Sequence, residues 1–155
     1  MVRNIVSSLN PMPHTKNTIS MRYLAATLFI TCLGAFGQDS AAYRDCNQQA
    51  KTQVEMNACA SEELKRADAE LNQVYTQLLS KASANTEAPT KIKAAKKAWI
   101  AYRDAYMDAM YPAADKQFEY GSVYPMEADL VRAKLTRQHV AELKEMLQQY
   151  KSRAQ

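Results

Sequence analysis

The chain has 155 residues, of which 47% are apolar and 23% charged, and it contains only three glycines. This composition predicts one globular domain and excludes disordered and repeat proteins. The formal net charge of +4 at pH 7 is modest, which argues against a nucleic-acid-binding protein, because such proteins concentrate positive charge on one face.

A targeting segment precedes the predicted domain. Met21-Arg22-Tyr23 and the apolar run from Leu24 to Phe36 have the positively charged start and the roughly 7–15 apolar residues of a secretory signal peptide. The run is too short to span a membrane, which needs about 20 apolar residues. Residues 1–20 are interpreted as a leader upstream of an internal start, residues 21–37 as the signal peptide, and residues 38–155 as one domain.

Small residues mark the expected cleavage site. Ala35-Phe36-Gly37 predicts a mature chain that begins at Gln38, and Ser40-Ala41-Ala42 is the second choice, with a start at Tyr43. Cleavage before Gln38 removes three bases and no acid, which leaves 17 bases against 16 acids and a net charge of +1. The mature protein is therefore expected to be periplasmic or secreted and nearly neutral.

Two cysteines remain in the mature chain. Cys32 is expected to be lost with the signal peptide. Its lipidation is the alternative, although no small residue directly precedes it. Cys46 and Cys59 have no histidine or further cysteine beside them, so in an oxidising compartment a disulfide is expected rather than a metal site. Closure of this loop should stabilise the fold by about 3 kcal/mol.

The first two helices are predicted from caps and periodicity. Residues 41–50 form a short helix, and Thr52-Gln-Val-Glu55 is a capping box, so that a long helix begins at Gln53 and runs to about Ala84. Apolar residues recur in this long helix every three or four positions. They are Met56, Ala60, Leu64, Ala67, Leu71, Val74, Leu78 and Ala82.

A break at residues 85–89 separates this helix from the second long one, whose first turn suits Pro89. Pro112 and the segment 115–120 weaken the helical pattern, and Gly121 ends the region. The buried stripe of the second long helix is expected to comprise Ile92, Ala95, Trp99, Tyr102, Tyr106 and Met110.

Pro125 opens the last helix. Its buried side is expected to comprise Met126, Leu130, Ala133, Val140, Leu143, Leu147 and Tyr150. No stretch alternates β-branched and polar residues over four or more positions, so no strand is predicted. The sequence predicts an all-α fold, an antiparallel bundle of three long helices plus a short N-terminal helix with one disulfide.

The loop between the second and third long helices is the first candidate for a partner-binding surface. Aromatic side chains on a loop supply large, rigid contact area. The alternative is that two or three of them cap the open end of the bundle. The candidate residues are Tyr111, Asp115, Phe118, Glu119, Tyr120 and Tyr124.

A polar cluster on the second long helix is the other candidate. Trp99 and Tyr102 are expected to share the buried stripe, and Arg103 can stack on Trp99 or pair across the bundle. The favoured interpretation is structural, a network around a buried tryptophan; the alternative is a polar groove for a ligand. The cluster comprises Asn72, Trp99, Tyr102, Arg103, Asp104 and Arg137, with Tyr75 as a further possible network member.

No pattern in the chain indicates catalysis. It has no Gly-rich phosphate loop, no Gly-x-Ser-x-Gly and no HExxH. His139 is interpreted as a solvated surface histidine, and Glu62-Glu63 and Asp68-Glu70 as ordinary wet helix surface. A solvated face is also favoured over an anionic-surface contact for the lysines. These are Lys91, Lys93, Lys96 and Lys97. No enzyme, cofactor or metal site is expected.

Several stretches of the domain form one pattern, which resembles the N-terminal domain of the LprI-type lysozyme inhibitors, small exported envelope proteins. The resemblance runs from about Asp45 to Leu143. Its elements are Asp45-Cys46, Thr52 to Cys59, Ala67 to Tyr75, Ala98 to Ala105, the turn Gly121 to Met126, and Leu135-Thr136-Arg137. The family pattern usually has a second cysteine pair, where this chain has Met107 and Val131. A buried apolar contact is therefore expected in place of that bridge.

The resemblance implies an exported protein that binds lysozyme and occludes this glycan-cleaving enzyme. A mature charge of about +1 gives little long-range attraction for a cationic lysozyme, so local acids would have to assist. Those near the aromatic loop are Asp108, Asp115, Glu119, Glu127 and Asp129. The alternative is a periplasmic structural or accessory helical protein with no lysozyme target. The inhibitor interpretation expects a protein partner, whereas the alternative expects a scaffold for another protein or for peptidoglycan. The sequence does not define the oligomeric state.

Overall fold

The computed structural model describes residues 39–153, which form five helices and no strand. The helices are α1 (Ala41–Gln49), α2 (Gln53–Ala82), α3 (Ala88–Met110), α4 (Lys116–Tyr120) and α5 (Tyr124–Arg153). The all-α prediction is confirmed, and the short α4 lies inside the predicted loop. The leader, the signal peptide and Cys32 lie outside the described residues.

The start of α2 is fixed by the predicted capping box. The Glu55 N–H donates to Thr52 Oγ1 at 3.2 Å, and the Thr52 N–H donates to Glu55 Oε2 at 2.9 Å. At its other end α2 stops at Ala82, slightly before the predicted Ala84. Asn85 then accepts from the N–H groups of Glu87 and Ala88 at 2.9 and 3.0 Å, which leads the chain into α3.

The three long helices run up, down and up. Asp68 and Asn72 of α2 bond to Arg103 and Lys96 of α3, respectively. The sequence separation falls from 35 to 24 between these two pairs, so α2 and α3 are antiparallel. Contacts between α2 and α5 keep a separation of 73 or 74 residues from Gln53–Met126 to Glu70–Lys144. The two longest helices are therefore parallel neighbours.

The largest core cluster lies between α2 and α5. It consists of Leu71, Val74, Tyr75, Leu78, Ala82, Ile92, Val140, Leu143 and Leu147. The stripe of α5 is confirmed in its second half, where Val140, Leu143 and Leu147 are buried. Nearer the start of α5, Met126 and Leu130 are only partly buried, because they pack on the small cluster under α1.

The predicted stripe of α3 is wrong at four of its six positions. Tyr102 and Tyr106 are 57% and 39% exposed, and Ala95 and Met110 are also exposed. The inward face keeps Ile92 and Trp99 of the predicted stripe and also carries Lys96, Arg103 and Met107. The helix is rotated because Lys96 and Arg103 turn inward to reach polar partners on α2 and α5. The side of α3 that faces the bundle therefore carries two charged residues, whereas the pattern predicted an apolar side there.

α1 is held against α2 by covalent and polar contacts. Cys46 and Cys59 form the predicted disulfide, with their Cα atoms 5.7 Å apart. Tyr43 is buried in a cluster with Cys59 and Ala60. Ser40 caps α1 by accepting from the Tyr43 N–H at 3.1 Å. A helix of nine residues would be only marginally stable alone. These contacts give α1 a fixed position on the bundle.

The expected apolar contact in place of a second bridge agrees with the packing between α3 and α5. Met107 is buried in a cluster with Tyr111 and Ala128, and Val131 packs against that cluster. Neither side chain is exposed. Among residues 39–153, no helix combines the length and apolar character that crossing a membrane requires.

Candidate functional site

The end of the bundle around α4 is built on three tyrosines. The Tyr111 ring meets the rings of Tyr120 and Tyr124 edge-on, with centroids 5.3 and 5.0 Å apart. Tyr111 is buried, and burial, together with the negative charge of Glu127, raises the pKa of its hydroxyl. These tyrosines therefore cap the open end of the bundle, which was the alternative interpretation for them.

α4 presents one large apolar side chain to solvent. Phe118 is 87% exposed, although it sits on a fixed backbone. Asp115 caps α4 by accepting from the Phe118 N–H at 3.0 Å, and Gly121 ends the helix with a φ of +73°. Lys116 donates to the Tyr111 carbonyl at 2.7 Å. A five-residue helix is thus anchored at both ends to the tyrosine cluster, with Phe118 pointing away from it.

Acidic side chains surround Phe118. Asp115 and Glu119 are exposed on α4. Two other predicted acids already have a partner, since Asp108 lies 3.5 Å from Lys116 and Asp129 lies 3.3 Å from Arg132. Burial, which outweighs the effect of Arg132, raises the pKa of Asp129. Local negative charge at this end therefore comes mainly from Asp115, Glu119 and the exposed Glu127.

The predicted polar cluster divides into separate contacts. Arg103 lies over the Trp99 ring, with its guanidinium carbon 5.2 Å from the ring centre, as expected. Its hydrogen-bonding partners are Asp68 at 3.1 Å and Thr136 at 3.4 Å, not the Asn72, Tyr75 or Arg137 that were expected. Asp104 is exposed and lies 3.7 Å from the Arg103 Nε. Tyr102 faces solvent, so it does not share a buried stripe with Trp99.

The interpretation of His139 as a solvated histidine is wrong. Its side chain is only 14% exposed and stacks on Trp99 with ring centres 4.5 Å apart. Nε2 lies 2.9 Å from the Tyr75 hydroxyl, and Nδ1 lies 2.9 Å from a Glu142 oxygen. Lys96 completes the group, donating to Asn72 Oδ1 at 2.9 Å with its Nζ 4.8 Å from the Tyr75 ring centre. Lys96 is therefore not part of a fully solvated lysine face.

Glu63 was also assigned wrongly to the wet surface. Its side chain is fully buried and accepts from the Ser40 N–H at 2.8 Å and the Ser40 hydroxyl at 2.5 Å. Arg66 donates to it at 2.7 Å, and Arg137 of α5 also donates to it. Burial alone would raise the pKa of Glu63, but the bonds from Ser40 and Arg66 and the attraction of Arg137 lower it to about 2.

Periodicity offered a signal for both missed residues. Glu63 stands one turn from Ala60 and one turn from Ala67, on the stripe that α2 buries. His139 stands between Thr136 and Leu143, which α5 buries. A polar residue at such a position is either exposed by local distortion or paired in the interior. The second outcome holds for both.

A groove of about 450 Å³ opens beside His139, where α2 ends and α3 begins. Its lining is largely apolar and includes Leu78, Ile92, Leu143, Met146 and Tyr150. Within residues 39–153, no group of histidine, cysteine or carboxylate side chains is arranged to hold a metal ion. None of the six residues of the predicted polar cluster lines this groove, although Tyr75 and His139 do.

Comparison with known proteins identifies the family. The family described as lysozyme inhibitor LprI matches residues 44–143. The chain belongs to this family. The LprI match covers most of α1, all of α2 to α4 and two thirds of α5, so it includes the disulfide and the tyrosine end of the bundle.

One curated relative of this LprI protein is an uncharacterized protein of Rhizobium meliloti (strain 1021). It is 33% identical over 115 residues, which is 67% of this chain and 79% of the relative. No solved structure matches the chain. The family description, which names an inhibitor, is therefore the starting point for function.

Proposed function

We propose that this protein is exported and inhibits lysozyme by covering part of the enzyme through protein–protein contact. Membership of the LprI family over residues 44–143 is the observation that carries the proposal. The surface that fits it best is the α4 end of the bundle, where Phe118 projects from an anchored helix. An exposed aromatic side chain on a rigid support is the usual form of an interface anchor.

The charges around α4 fit a cationic target. Asp115 and Glu119 are exposed within one turn of Phe118 and provide local negative charge on a mature chain that is nearly neutral overall. Such charges raise association rates more than they raise affinity. Of the six predicted loop residues, we propose that Phe118, Asp115 and Glu119 contact the partner. The three tyrosines pack against one another.

Ser40 supports cleavage before Gln38. A chain that began at Tyr43 would lack the α1 cap and both bonds from Ser40 to Glu63. Glu63 would then be a buried carboxylate with fewer donors, which is costly. The structure of residues 39–43 therefore favours the first predicted cleavage site over the second.

The direct test is inhibition of lysozyme by the purified chain 38–155. The rate at which a cationic lysozyme clears a cell-wall suspension should fall as the protein is added in molar excess. Phe118→Ala should weaken inhibition by about 2 kcal/mol or more, or about 30-fold, as expected for an aromatic hot spot. Met146→Ala is the control, because Met146 is a large apolar residue, 38% exposed, near the opposite end of α5.

Charge is tested separately with Glu119→Lys. This variant keeps the Asp115 cap of α4, and it should slow association mainly at low salt, where screening is weak. If no lysozyme is slowed at large molar excess, the inhibitor proposal fails and the structural or accessory alternative replaces it. If the protein inhibits but Phe118→Ala inhibits equally well, the inhibitory surface lies away from α4.

A further inference from the structure

One side of α3 is apolar and exposed along most of the helix. Its exposed residues include Ala94, Ala98, Ala101, Tyr102, Ala105 and Tyr106. Because successive residues of a helix are turned by about 100°, these positions lie together on one side. Of the charged residues between positions 94 and 109, Lys96 and Arg103 point inward, and the others lie along one edge of this face. This outer face of α3 has no partner among residues 39–153.

The two tyrosines make this face costly to leave in water. Tyr102 and Tyr106 are 57% and 39% exposed, with ring centres 6.1 Å apart. Tyrosine is enriched in the centres of protein interfaces and charged residues are depleted there. Tyr102 and Tyr106 were predicted from the sequence to be buried, and within one copy of the chain they are not.

Charges along one edge of the face indicate what covers it. Lys93 and Lys97 lie near the start of α3, and Asp104 and Asp108 lie near its end, all four on the same edge and all exposed. Each like-charged pair is four residues apart, a spacing at which like charges repel. Among residues 39–153 the acids make only longer pairs, Asp104 with Arg103 at 3.7 Å and Asp108 with Lys116 at 3.5 Å.

These charges are self-complementary in an antiparallel arrangement. Lys97 and Asp104 lie at equal distances in the sequence from a point between residues 100 and 101. Lys93 and Asp108 have the same midpoint. If two antiparallel α3 helices cross at this point, Lys97 of each copy faces Asp104 of the other. Lys93 of each copy then faces Asp108 of the other. Ala95 and Tyr106 share the same midpoint, so the Tyr106 ring of each copy meets the small Ala95 of the other.

We propose that two copies of this chain associate through the outer faces of α3, packed antiparallel about a two-fold axis near residues 100 and 101. The contact is isologous, as in most homodimers. Alanine rows allow the helix axes to approach closely, Tyr102 and Tyr106 provide the buried apolar area, and the Lys–Asp pairs set the direction and register. The surface is distinct from α4, so a dimer would present two Phe118 side chains.

The test is the association state of the oxidised chain 38–155, without lysozyme, by analytical ultracentrifugation over a range of concentrations. The wild-type protein should dimerise. Lys97→Asp and Asp104→Lys should each weaken dimerisation at least about tenfold, because each places two like-charged pairs across the axis. The double variant should regain it, and an equimolar mixture of the two single variants should form the mixed dimer. Lys134→Asp, at an exposed position on α5, is the charge-matched control and should dimerise normally.

Far-ultraviolet circular dichroism should show the same helix content in all variants, and recovery in the double variant excludes misfolding as the cause of the loss. A wild-type chain that remains monomeric up to its solubility limit would overturn the proposal. The proposal would also be overturned if both single variants dimerised with the same affinity as the wild-type protein. Both measurements are independent of the lysozyme assay, so either proposal can fail without the other.

Discussion

Glu63 joins three helices through one carboxylate. Its oxygens accept from Ser40 ahead of α1 and from Arg66 on α2, and they also bind Arg137 on α5. A buried carboxylate is tolerated only when its lone pairs are satisfied by donors and its charge is matched. Here two arginines and two Ser40 donors meet that need, so the site holds the base of α1 against the α2–α5 pair.

The low pKa of Glu63 makes stability depend on pH. A folded pKa of about 2, below the ordinary 4.5, means that the carboxylate stabilises the native state at pH values above 4.5. That contribution, about 3 kcal/mol by linkage, is lost progressively as the pH falls from about 5 toward 2. Glu63→Gln should remove it at neutral pH and flatten the pH dependence in this window.

Urea unfolding of wild type and Glu63→Gln at pH 7 and at pH 3 measures the effect. The two proteins should differ strongly in unfolding free energy at pH 7 and much less at pH 3. Glu62→Gln is the matched control, because Glu62 is exposed and pairs only with Lys65 on the same helix. Equal losses for the two variants at pH 7 would show that Glu63 has no special role.

At the scale of helices, α3 differs from its neighbours in how it is held. It buries only Ile92 and Met107, whereas α2 buries nine residues. Much of its attachment is polar or aromatic, through Arg103 to Asp68 and Thr136 and through Trp99 to His139. The rotation of α3 therefore follows from a few specific contacts, and its tyrosine side is left for another surface.

Met107 anchors the C-terminal half of α3. Met107 is the buried residue at one of the two positions where the family pattern has a cysteine. It packs with Tyr111 and Ala128, and Tyr120 and Tyr124 pack against the same cluster. Met107→Ala should lower the unfolding free energy by about 2–5 kcal/mol, as for other buried large-to-small changes. Met110→Ala, at an exposed position on the same turn, should cost far less, and thermal or urea unfolding compares them. Similar costs for both would contradict this account of the packing.

At the scale of the whole molecule, the disulfide and the expected export define one covalent species. α1 is tied to α2 by Cys46–Cys59, and Ser40 lies ahead of α1. Intact-mass measurement of exported protein should therefore give a chain that begins at Gln38 and is two hydrogens lighter than its reduced form. A diacylated chain that begins at Cys32, or a start at Tyr43, would contradict the predicted processing.

The sequence by itself determined those features of the fold that depend on residues close to one another along the chain. The Thr52–Glu55 capping box, Pro89 and Pro125 located helix starts to within about a residue, since caps and prolines act within one turn. Two cysteines in a short domain that is expected to be exported left one pairing. The long stripe of α2 and the family motifs then gave the fold class and the family.

Only the tertiary structure decided which polar residues are interior. Glu63 and His139 read as surface residues, and Arg103 was assigned the wrong partners, because the groups that hold them inside are distant in the sequence. The separations are 23 and 74 positions for Glu63, 40 and 64 for His139, and 33 and 35 for Arg103. α3 also carries two possible inward faces, one with Tyr102 and Tyr106 and one with Lys96 and Arg103. Local periodicity favours the more apolar face. The other face is turned inward because Arg103 there donates to Asp68 and to the buried Thr136 of the neighbouring helices, and a buried polar group without a partner is costly.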